Sequence, residues 1–175
     1  SLDGGVSYNY SGTRIQDRPD TNSSSVAVAS SSDCILCTWR DWRDSDIDAI
    51  YSSYSLDYGE TWSSPDIRVD DDPLNFSRRN PDLIYCPDGS FVCVWEDTRG
   101  GDTNVYSSRT TDCGMTWSPN VQVSSDNYTE VVFMPLLAID DQASALYTLF
   151  QTSIGPYVHE IRLCRSFDYG VSWED

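Results

Sequence analysis

The sequence predicts an all-β protein built from a repeated unit of about 55 residues. One eight-residue phrase occurs four times, with the pattern Ser/Thr-x-Asp-x-Gly-x-Ser/Thr-aromatic, and its aspartates stand 54, 55 and 56 residues apart. Between the phrases, short apolar runs alternate with turn sequences, and no stretch shows a convincing helical period. The copies lie at 1–8, 55–62, 110–117 and 166–173.

The phrase has the composition of a hairpin tip. Its aspartate can accept hydrogen bonds from backbone N–H groups two or three residues ahead. Its glycine can adopt a positive φ without steric cost, and its final aromatic residue is large enough to wedge between neighbouring units. We therefore expect structural roles for Asp3, Gly5, Tyr8, Asp57, Gly59, Trp62, Asp112, Gly114, Trp117, Asp168, Gly170 and Trp173.

These four phrases resemble the Asp-box, or bacterial neuraminidase repeat, of sialidase-like β-propellers. In that family the box caps the turn between the third and fourth strands of each four-stranded antiparallel blade, in enzymes and in non-enzymatic propellers alike. The resemblance covers the whole chain and implies about three blades. The repeat units would be 1–54, 55–109 and 110–165, with the next unit starting at 166–175. We expect a longer array, because three blades alone leave two sheet faces open.

Each unit is expected to contain the same order of strands. In the first unit, strands are predicted up to residue 15 and at 26–29, 34–39 and 47–54. The second unit has them at 62–69, 82–86, 91–95 and 103–109, and the third at 117–123, 135–139, 145–150 and 157–165. An element Trp-x-Asp-x-Arg, which occurs at 39–43 and 95–99, is predicted to form an outlying loop between the second and third strands.

The chain is strongly acidic, with a net charge of −17, and every basic residue is arginine. Such a field makes nucleic acid and anionic lipid poor partners, and no apolar run is long enough to span a membrane. A solvated secreted surface, a high-salt habitat and cation binding would each explain the charge. No cofactor is expected, because an acidic turn at 70–72 is explained by solvation alone; the alternative is a calcium site with Asp70, Asp71 and Asp72 as its ligands.

The chain has six cysteines, and an even count is typical of extracellular, secreted proteins whose cysteines pair in disulfides. We therefore expect a secreted protein with disulfides. Six cysteines allow 15 connectivities, and the sequence does not choose among them. Two of them flank a Pro-Asp-Gly turn, so they could face each other across a hairpin. The candidates are Cys34, Cys37, Cys86, Cys93, Cys113 and Cys164, of which Cys86 and Cys93 flank the turn.

Four Asn-x-Ser/Thr sequons support the same compartment. Three of their asparagines follow the aspartates of successive phrases by 19, 18 and 15 residues. Equivalent loops of successive repeats would therefore carry glycans along one rim. The four asparagines are Asn9, Asn22, Asn75 and Asn127.

The pairs Asp41 with Arg43 and Asp97 with Arg99 are the sharpest candidates for chemistry. The resemblance places them on the face opposite the boxes, where sialidases build their active site. One hypothesis is a guanidinium clamp for the carboxylate of an anionic sugar. The preferred interpretation is a salt bridge that ties each blade to its neighbour, because a catalytic residue is needed once and a strut is needed in every blade.

No coherent catalytic set emerges. Sialidases use three arginines, a tyrosine activated by a glutamate, and an aspartate as acid and base. The family's Phe/Tyr-Arg-Ile-Pro stretch is matched at 13–16 only by its arginine and isoleucine, without the aromatic residue and the proline. No catalytic residue is therefore assigned. We expect a non-enzymatic extracellular structural or adhesive glycoprotein that could be the repeating unit of a filament. Its expected partners are copies of itself or further repeats of the same chain, with glycans as a further candidate. The alternatives are a sialidase-like glycoside hydrolase and a carbohydrate-binding propeller without catalysis.

Overall fold

The computed structural model describes residues 12–44, 47–72, 76–99, 101–124, 132–155 and 158–174. Over these residues the chain forms strands, turns and irregular segments, without a helix, which confirms the all-β prediction. No described helix is therefore long and apolar enough to cross a membrane. Four predicted site groups lie outside the described residues: the first phrase with Asp3, Gly5 and Tyr8, and the sequon residues Asn9, Asn75 and Asn127.

The strands form three antiparallel sheets that follow one another along the chain. Within each sheet every strand pairs with its neighbours in sequence, so the strands of one sheet form a meander of hairpins. Sheet A contains β1 (Ser23–Ser30), β2 (Ile35–Asp44), β3 (Ile47–Ser55) and β4 (Ile67–Arg68). Sheet B contains β5 (Arg78–Tyr85), β6 (Phe91–Asp97), β7 (Asn104–Thr110) and β8 (Val121–Gln122). Sheet C contains β9 (Val132–Asp140), β10 (Ala145–Gly155) and β11 (Val158–Ser166).

The sheets pack face to face in chain order. Strand β5 of sheet B packs against β1, β2 and β3 of sheet A, and β9 of sheet C packs against β5, β6 and β7. Apolar side chains fill both junctions, and burying a large one stabilises the fold by about 1.5–3 kcal/mol. The first junction buries Leu36, Ile50, Phe91, Cys93 and Trp95, and the second buries Val94, Val105, Val132, Phe150 and Cys164.

Three copies of the phrase form one type of turn, which we call the octapeptide turn. These turns lie between β3 and β4, between β7 and β8, and after β11. In the octapeptide turn of sheet A, Tyr58 and Gly59 have φ values of 60° and 89°, and the equivalent residues of the other two turns also have positive φ values. The glycine therefore occupies a conformation that a side chain disfavours.

The aspartate holds each octapeptide turn together. Asp57 Oδ1 accepts hydrogen bonds from the backbone N–H of Thr61 at 2.8 Å and the hydroxyl of Ser55 at 2.8 Å, and Asp57 Oδ2 accepts one from the Thr61 hydroxyl at 2.5 Å. Asp112 and Asp168 make the same set of bonds. Hydrogen bonds from Thr61, above all from its hydroxyl, lower the pKa of Asp57 to about 2.

The Trp-x-Asp-x-Arg element differs from its predicted loop. Its first copy lies wholly within β2, and the second copy enters β6 as far as Asp97. The reason is strand pairing on both sides, since Asp41 pairs with Ser23 of β1 and with Ala49 of β3. The prediction treated a charged tail of each strand as a loop.

The predicted strands at 62–69 and 117–123 are also wrong in length. Only two residues of each, Ile67–Arg68 and Val121–Gln122, form strands. Pro65 and Pro119 precede them, and proline has no N–H to donate to a ladder. No strand is present at 12–15, where the first predicted strand was to end.

One disulfide joins two sheets. Cys34, in the turn between β1 and β2, is bonded to Cys113 in the octapeptide turn of sheet B, with their Cα atoms 6.3 Å apart. The suggested pairing of Cys86 with Cys93 is wrong, because Cys86 lies opposite Ser90 in its hairpin and Cys93 lies opposite Leu83. The four cysteines outside this disulfide are all buried: Cys37, Cys86, Cys93 and Cys164.

Candidate functional site: the Asp–Arg face

Both Asp–Arg pairs lie at the end of their sheet opposite the octapeptide turn. In sheet A, Ser55 of the turn pairs with Ile35 at the start of β2, whereas Asp41 lies six residues further along β2. That separation corresponds to about 20 Å of strand. In sheet B, Asp97 likewise lies at the opposite end of β6 from the turn. We call this end of the sheets the Asp–Arg face.

In sheet A the guanidinium group of Arg43 is held by three carboxylates. It contacts Asp41 Oδ2 at 2.8 Å, Asp66 Oδ2 at 2.7 Å and Asp17 Oδ1 at 2.8 Å. Asp41 also accepts hydrogen bonds from the Trp39 indole N–H at 3.0 Å and from the Arg43 backbone N–H at 2.8 Å. The Arg43 side chain is only 4% exposed, so its positive charge is neutralised by carboxylates inside the protein.

Sheet B repeats this arrangement around Arg99. The guanidinium contacts Asp97 Oδ2 at 2.7 Å, Asp71 Oδ1 at 2.9 Å and the amide oxygen of Asn120 at 2.8 Å. Asp97 accepts the Trp95 indole N–H at 3.1 Å and the Arg99 backbone N–H at 2.8 Å. The element recurs because the same Trp-x-Asp-x-Arg spacing ends the second strand of both sheets.

Each arginine joins separate segments of its own region. Asp71 lies in the connection between β4 of sheet A and β5 of sheet B, and Arg99 lies two residues after β6. Their contact therefore attaches this connection to sheet B. Asp17 precedes β1 and reaches Arg43 in the same way. The predicted site residues Asp41, Arg43, Asp97 and Arg99 are therefore brought together as pairs, with their mutual charges satisfied.

Electrostatics holds these pairs ionised. Burial of Asp41 raises its pKa, but hydrogen bonds from Arg43 and Trp39 outweigh burial and leave the pKa below its ordinary value. The same balance, with Arg99 and Trp95 as donors, lowers the pKa of Asp97. Desolvation lowers the pKa of Arg43, but its hydrogen bonds to Asp41 and Asp66 more than reverse that effect. These are the properties of permanent ion pairs.

Asp66 is the exception on this face. Burial raises its pKa to about 6, and a hydrogen bond with Asp17 adds to the rise. That hydrogen bond is the largest influence on Asp17, whose pKa is lowered. Such a carboxyl has the proton affinity of a general acid, but its side chain is fully buried and cannot reach a substrate.

Sheet C lacks the element. Counting along β10 from the residue opposite the turn places Phe150 at the position of the tryptophan and Thr152 at the position of the aspartate. Both residues are buried. The Asp–Arg pair is therefore a feature of sheets A and B within the described residues.

A second polar cluster on the Asp–Arg face was missed by sequence reasoning. Asp48 Oδ2 accepts a hydrogen bond from Arg40 at 2.7 Å and another from the Ser77 hydroxyl, which in turn accepts one from Arg79 Nε at 2.8 Å. The side chain of Arg79 is 51% exposed, and the Arg40 guanidinium lies over the Trp42 ring at 4.0 Å. These residues come from two sheets and share no motif, so only the fold brings them together.

The acidic run at 70–72 faces arginines. Asp70 contacts Arg68 at 2.7 Å and Arg78 at 3.2 Å, Asp71 contacts Arg99, and Asp72 contacts Arg78 at 3.6 Å. Arg78 is fully buried, and no local sequence signal marks it. Over the described residues, no group of three or more His, Cys, Asp or Glu side chains is arranged to hold a metal ion.

Asn22 lies at the edge of this face. Its backbone oxygen accepts a hydrogen bond from the Trp42 N–H at 3.2 Å, which fixes it beside the end of β2. Asn22 is exposed, so its amide is accessible to solvent.

No protein-family model matches the chain, and no curated protein matches its sequence. Solved structures resemble it in fold. A protein of unknown function from Dyadobacter fermentans has a TM-score of 0.70 at 15% identity, over 91% of this chain and 55% of that one. The Hadza microbial sialidase Hz136 has a TM-score of 0.69 at 15% identity, over 86% of this chain and 36% of that one.

The α-L-arabinofuranosidase Arb93A of Fusarium graminearum also matches, with a TM-score of 0.69 at 19% identity, over 92% of this chain and 50% of that one. The chain thus spans about half the length of these structures or less. Identities this low show a shared fold and leave activity open. The chain has the β-propeller-like fold found in sialidase and arabinofuranosidase structures.

Proposed function

We propose that this chain is a non-enzymatic structural or adhesive module of an extracellular glycoprotein, built from Asp-box blades of a sialidase-like β-propeller. The observation that carries the proposal is the state of Arg43 and Arg99. A sugar clamp needs a guanidinium that is free to turn toward a ligand. These two are 4% and 16% exposed and already bound to carboxylates of the chain. No cofactor is part of the proposal.

A glycoside hydrolase is the first alternative. It is supported by the fold shared with structures named as a sialidase and as arabinofuranosidases. Retaining and inverting glycosidases need two carboxyl groups beside the scissile bond. Among the described residues, Asp48 and Glu96 are two carboxyls on the Asp–Arg face that do not contact Arg43 or Arg99. Glu96 binds Asn80 at 2.7 Å and the Met134 backbone N–H at 2.6 Å, so it acts as a link between sheets B and C.

Carbohydrate binding without hydrolysis is the second alternative, and one observation favours it. The half-exposed Arg79 and the Arg40–Trp42 stack lie around the shared carboxylate of Asp48. An arginine beside an aromatic ring can bind a sugar through hydrogen bonds and ring contact. This patch is the place on the described surface where we would expect a glycan to bind.

Turnover assays separate the proposal from the first alternative. The chain is incubated with a fluorogenic α-sialoside and with a fluorogenic α-L-arabinofuranoside, and we expect no turnover above the no-protein rate. Turnover that disappears in Asp48→Asn or Glu96→Gln, with the circular dichroism spectrum unchanged, would overturn the proposal.

Glycan-array binding tests the second alternative. Binding that is lost in Arg79→Ala and retained in Arg165→Ala would assign the patch. Arg165 is a matched control, because its side chain is 47% exposed and lies on sheet C.

A further inference from the structure

Sheet C leaves uncovered a face that sheets A and B bury. Equivalent positions follow from the strand registers, counted from the octapeptide turns. Ile50 and Val105 are 0% exposed, whereas the equivalent Ile161 is 71% exposed. Leu149 is 38% exposed, whereas its equivalents Thr38 and Val94 are 0% exposed. Leu163 is 46% exposed, whereas its equivalents Ser52 and Ser107 are 0% exposed. We call the face formed by Tyr147, Leu149, Ile161 and Leu163 the open face of sheet C.

The following sheet covers this face in sheets A and B, with its first strand and with its octapeptide turn. Gly114 of sheet B lies over Leu36, so closely that an added Cβ would come within 2.6 Å of its side chain. Trp117 of the same turn donates its indole N–H to Ser52 Oγ at 3.1 Å. Sheet C repeats both contacts on sheet B, with Gly170 over Val92 and Trp173 bound to Ser107 at 3.0 Å.

The turn of sheet A presents the same surface, and no sheet of the described residues lies beneath it. Tyr58 is 80% exposed, whereas its equivalent Tyr169 packs against the core cluster formed by Cys86, Val92 and Leu146. A Cβ added to Gly59 would meet only Ile35 and Trp62, both in its own sheet A region. The chain therefore exposes both surfaces that form the contact between its sheets: the octapeptide turn of sheet A and the open face of sheet C.

We propose that the octapeptide turn of sheet A docks on the open face of sheet C of a second copy of this chain. Gly59 would lie over Tyr147, and Trp62 would lie against Leu163, by continuation of the two internal junctions. The proposal rests on sheet geometry and holds whether or not the chain is catalytic. The contact is head-to-tail, so it either closes into a ring or grows into a linear assembly.

The open face also differs chemically from its equivalents. Leucines replace Ser52 and Ser107 at position 163, and Thr38 and Val94 at position 149. The indole N–H of Trp62 would therefore meet no hydroxyl at Leu163, and the contact would depend on apolar burial instead. We expect burial of the exposed side chains of Leu149, Ile161 and Leu163 to stabilise the contact between the two copies.

Sedimentation velocity over a wide range of protein concentration tests the proposal. The buffer contains physiological salt, so that the net charge of −17 is screened. We expect a mass of two or more copies at high concentration. Ile161→Asp blocks the open face, Tyr58→Asp blocks the turn, and each variant alone should be monomeric. Both side chains are mostly exposed, so neither change should prevent folding.

A mixture of the two variants is the decisive sample. Each variant keeps one intact half of the contact, so an equimolar mixture should form a complex of two chains. Met115→Asp is the matched control, because Met115 is an exposed residue of the octapeptide turn in sheet B, and it should assemble like the unmodified chain. A chain that stays monomeric at every concentration, an assembly insensitive to both substitutions, or a mixture that stays monomeric would overturn the proposal.

Discussion

Asp66 of sheet A and Asn120 of sheet B occupy the same position beside their arginines. Each accepts a hydrogen bond from the guanidinium, at 2.7 and 2.8 Å. Each also exchanges a pair of hydrogen bonds with an aspartate 49 residues earlier in the chain, in which the backbone N–H of either residue donates to the side-chain oxygen of the other. Sheet A thus places three carboxylates around one arginine, whereas sheet B places two carboxylates and an amide there. The third carboxylate is the one whose pKa is raised.

We predict that Asp66→Asn stabilises the protein at neutral pH. The folded pKa of Asp66, about 6, lies above the value of 3.8 for an unperturbed aspartate, so its contribution is favourable at low pH and is lost as the pH rises through about 6. An amide removes this cost and should raise the free energy of unfolding by about 1–2 kcal/mol at neutral pH. The gain should shrink on acidification. Urea unfolding across this pH range measures it.

Asn120→Asp is the reciprocal control for that prediction. It places a third carboxylate in sheet B, so it should lower the free energy of unfolding at neutral pH and recover on acidification. Equal stability of Asp66→Asn and the unmodified protein at neutral pH would contradict the prediction. The charged groups that face Asp66, namely Asp17, Asp41 and Arg43, are unchanged in both variants.

Arg99→Gln should be strongly destabilising. It removes the nearer of the two arginines that contact the fully buried carboxylate of Asp97 and leaves only Arg78, at 3.3 Å; loss of a buried partner costs up to about 3–5 kcal/mol. Arg109→Gln is the matched control, because the Arg109–Asp88 pair has side chains 23% and 28% exposed, and pairs near the surface contribute about 0–1 kcal/mol. Chemical unfolding of both variants gives the two costs. A similar small effect in both would show that Arg99 is not a strut.

Asp112→Ala should destabilise the octapeptide turn of sheet B. Asp112 accepts hydrogen bonds from the backbone and hydroxyl of Thr116, and losing such charge-assisted bonds costs about 1–3 kcal/mol. Burial raises the pKa of Asp112, but the Thr116 bonds outweigh it and lower the pKa, so this stability is present above the unfolded pKa and is lost as pH falls through the folded value. Thermal unfolding measures the cost, and the exposed Asp102→Ala should show no comparable loss.

Removal of the Cys34–Cys113 disulfide should lower stability by about 4 kcal/mol. The bond closes a loop with a sequence separation of 79, and loop-closure entropy gives an effect of this size. Unfolding of Cys34→Ser and Cys113→Ser against the unmodified protein measures it. Non-reducing peptide mapping should recover the Cys34–Cys113 link, and any other recovered pair would contradict the assignment.

The sequence was informative where a residue acts within its own segment. The spacing of Asp57, Gly59 and Thr61 predicted a turn, because all the atoms that close it lie within eight residues. Alternating apolar runs likewise predicted most strands. The prediction of a loop at 39–43 failed because charged side chains normally indicate solvent, whereas here Asp41 and Arg43 neutralise each other inside the sheet.

Contacts between residues far apart in the chain could not be predicted from the spacing of residues in the sequence. Asp17 and Asp66 lie 49 residues apart, and Ser77 reaches Asp48 from another sheet. Arg78 is a buried cation with no local signal, since its partners Asp70 and Asp97 are brought to it by the packing of strands. The disulfide pairing depended on how closely sheet B approaches sheet A, which no cysteine spacing encodes.

The position of the disulfide has a mechanical consequence. Cys34–Cys113 ties sheet A to sheet B covalently, whereas in the described part of the chain sheet C is joined to sheet B by side-chain packing and hydrogen bonds such as Trp173 to Ser107. When the two ends of the chain are pulled apart, sheet C should peel away at low force. The residues between Cys34 and Cys113 should then be shielded from the load, because the covalent bond carries the force past them.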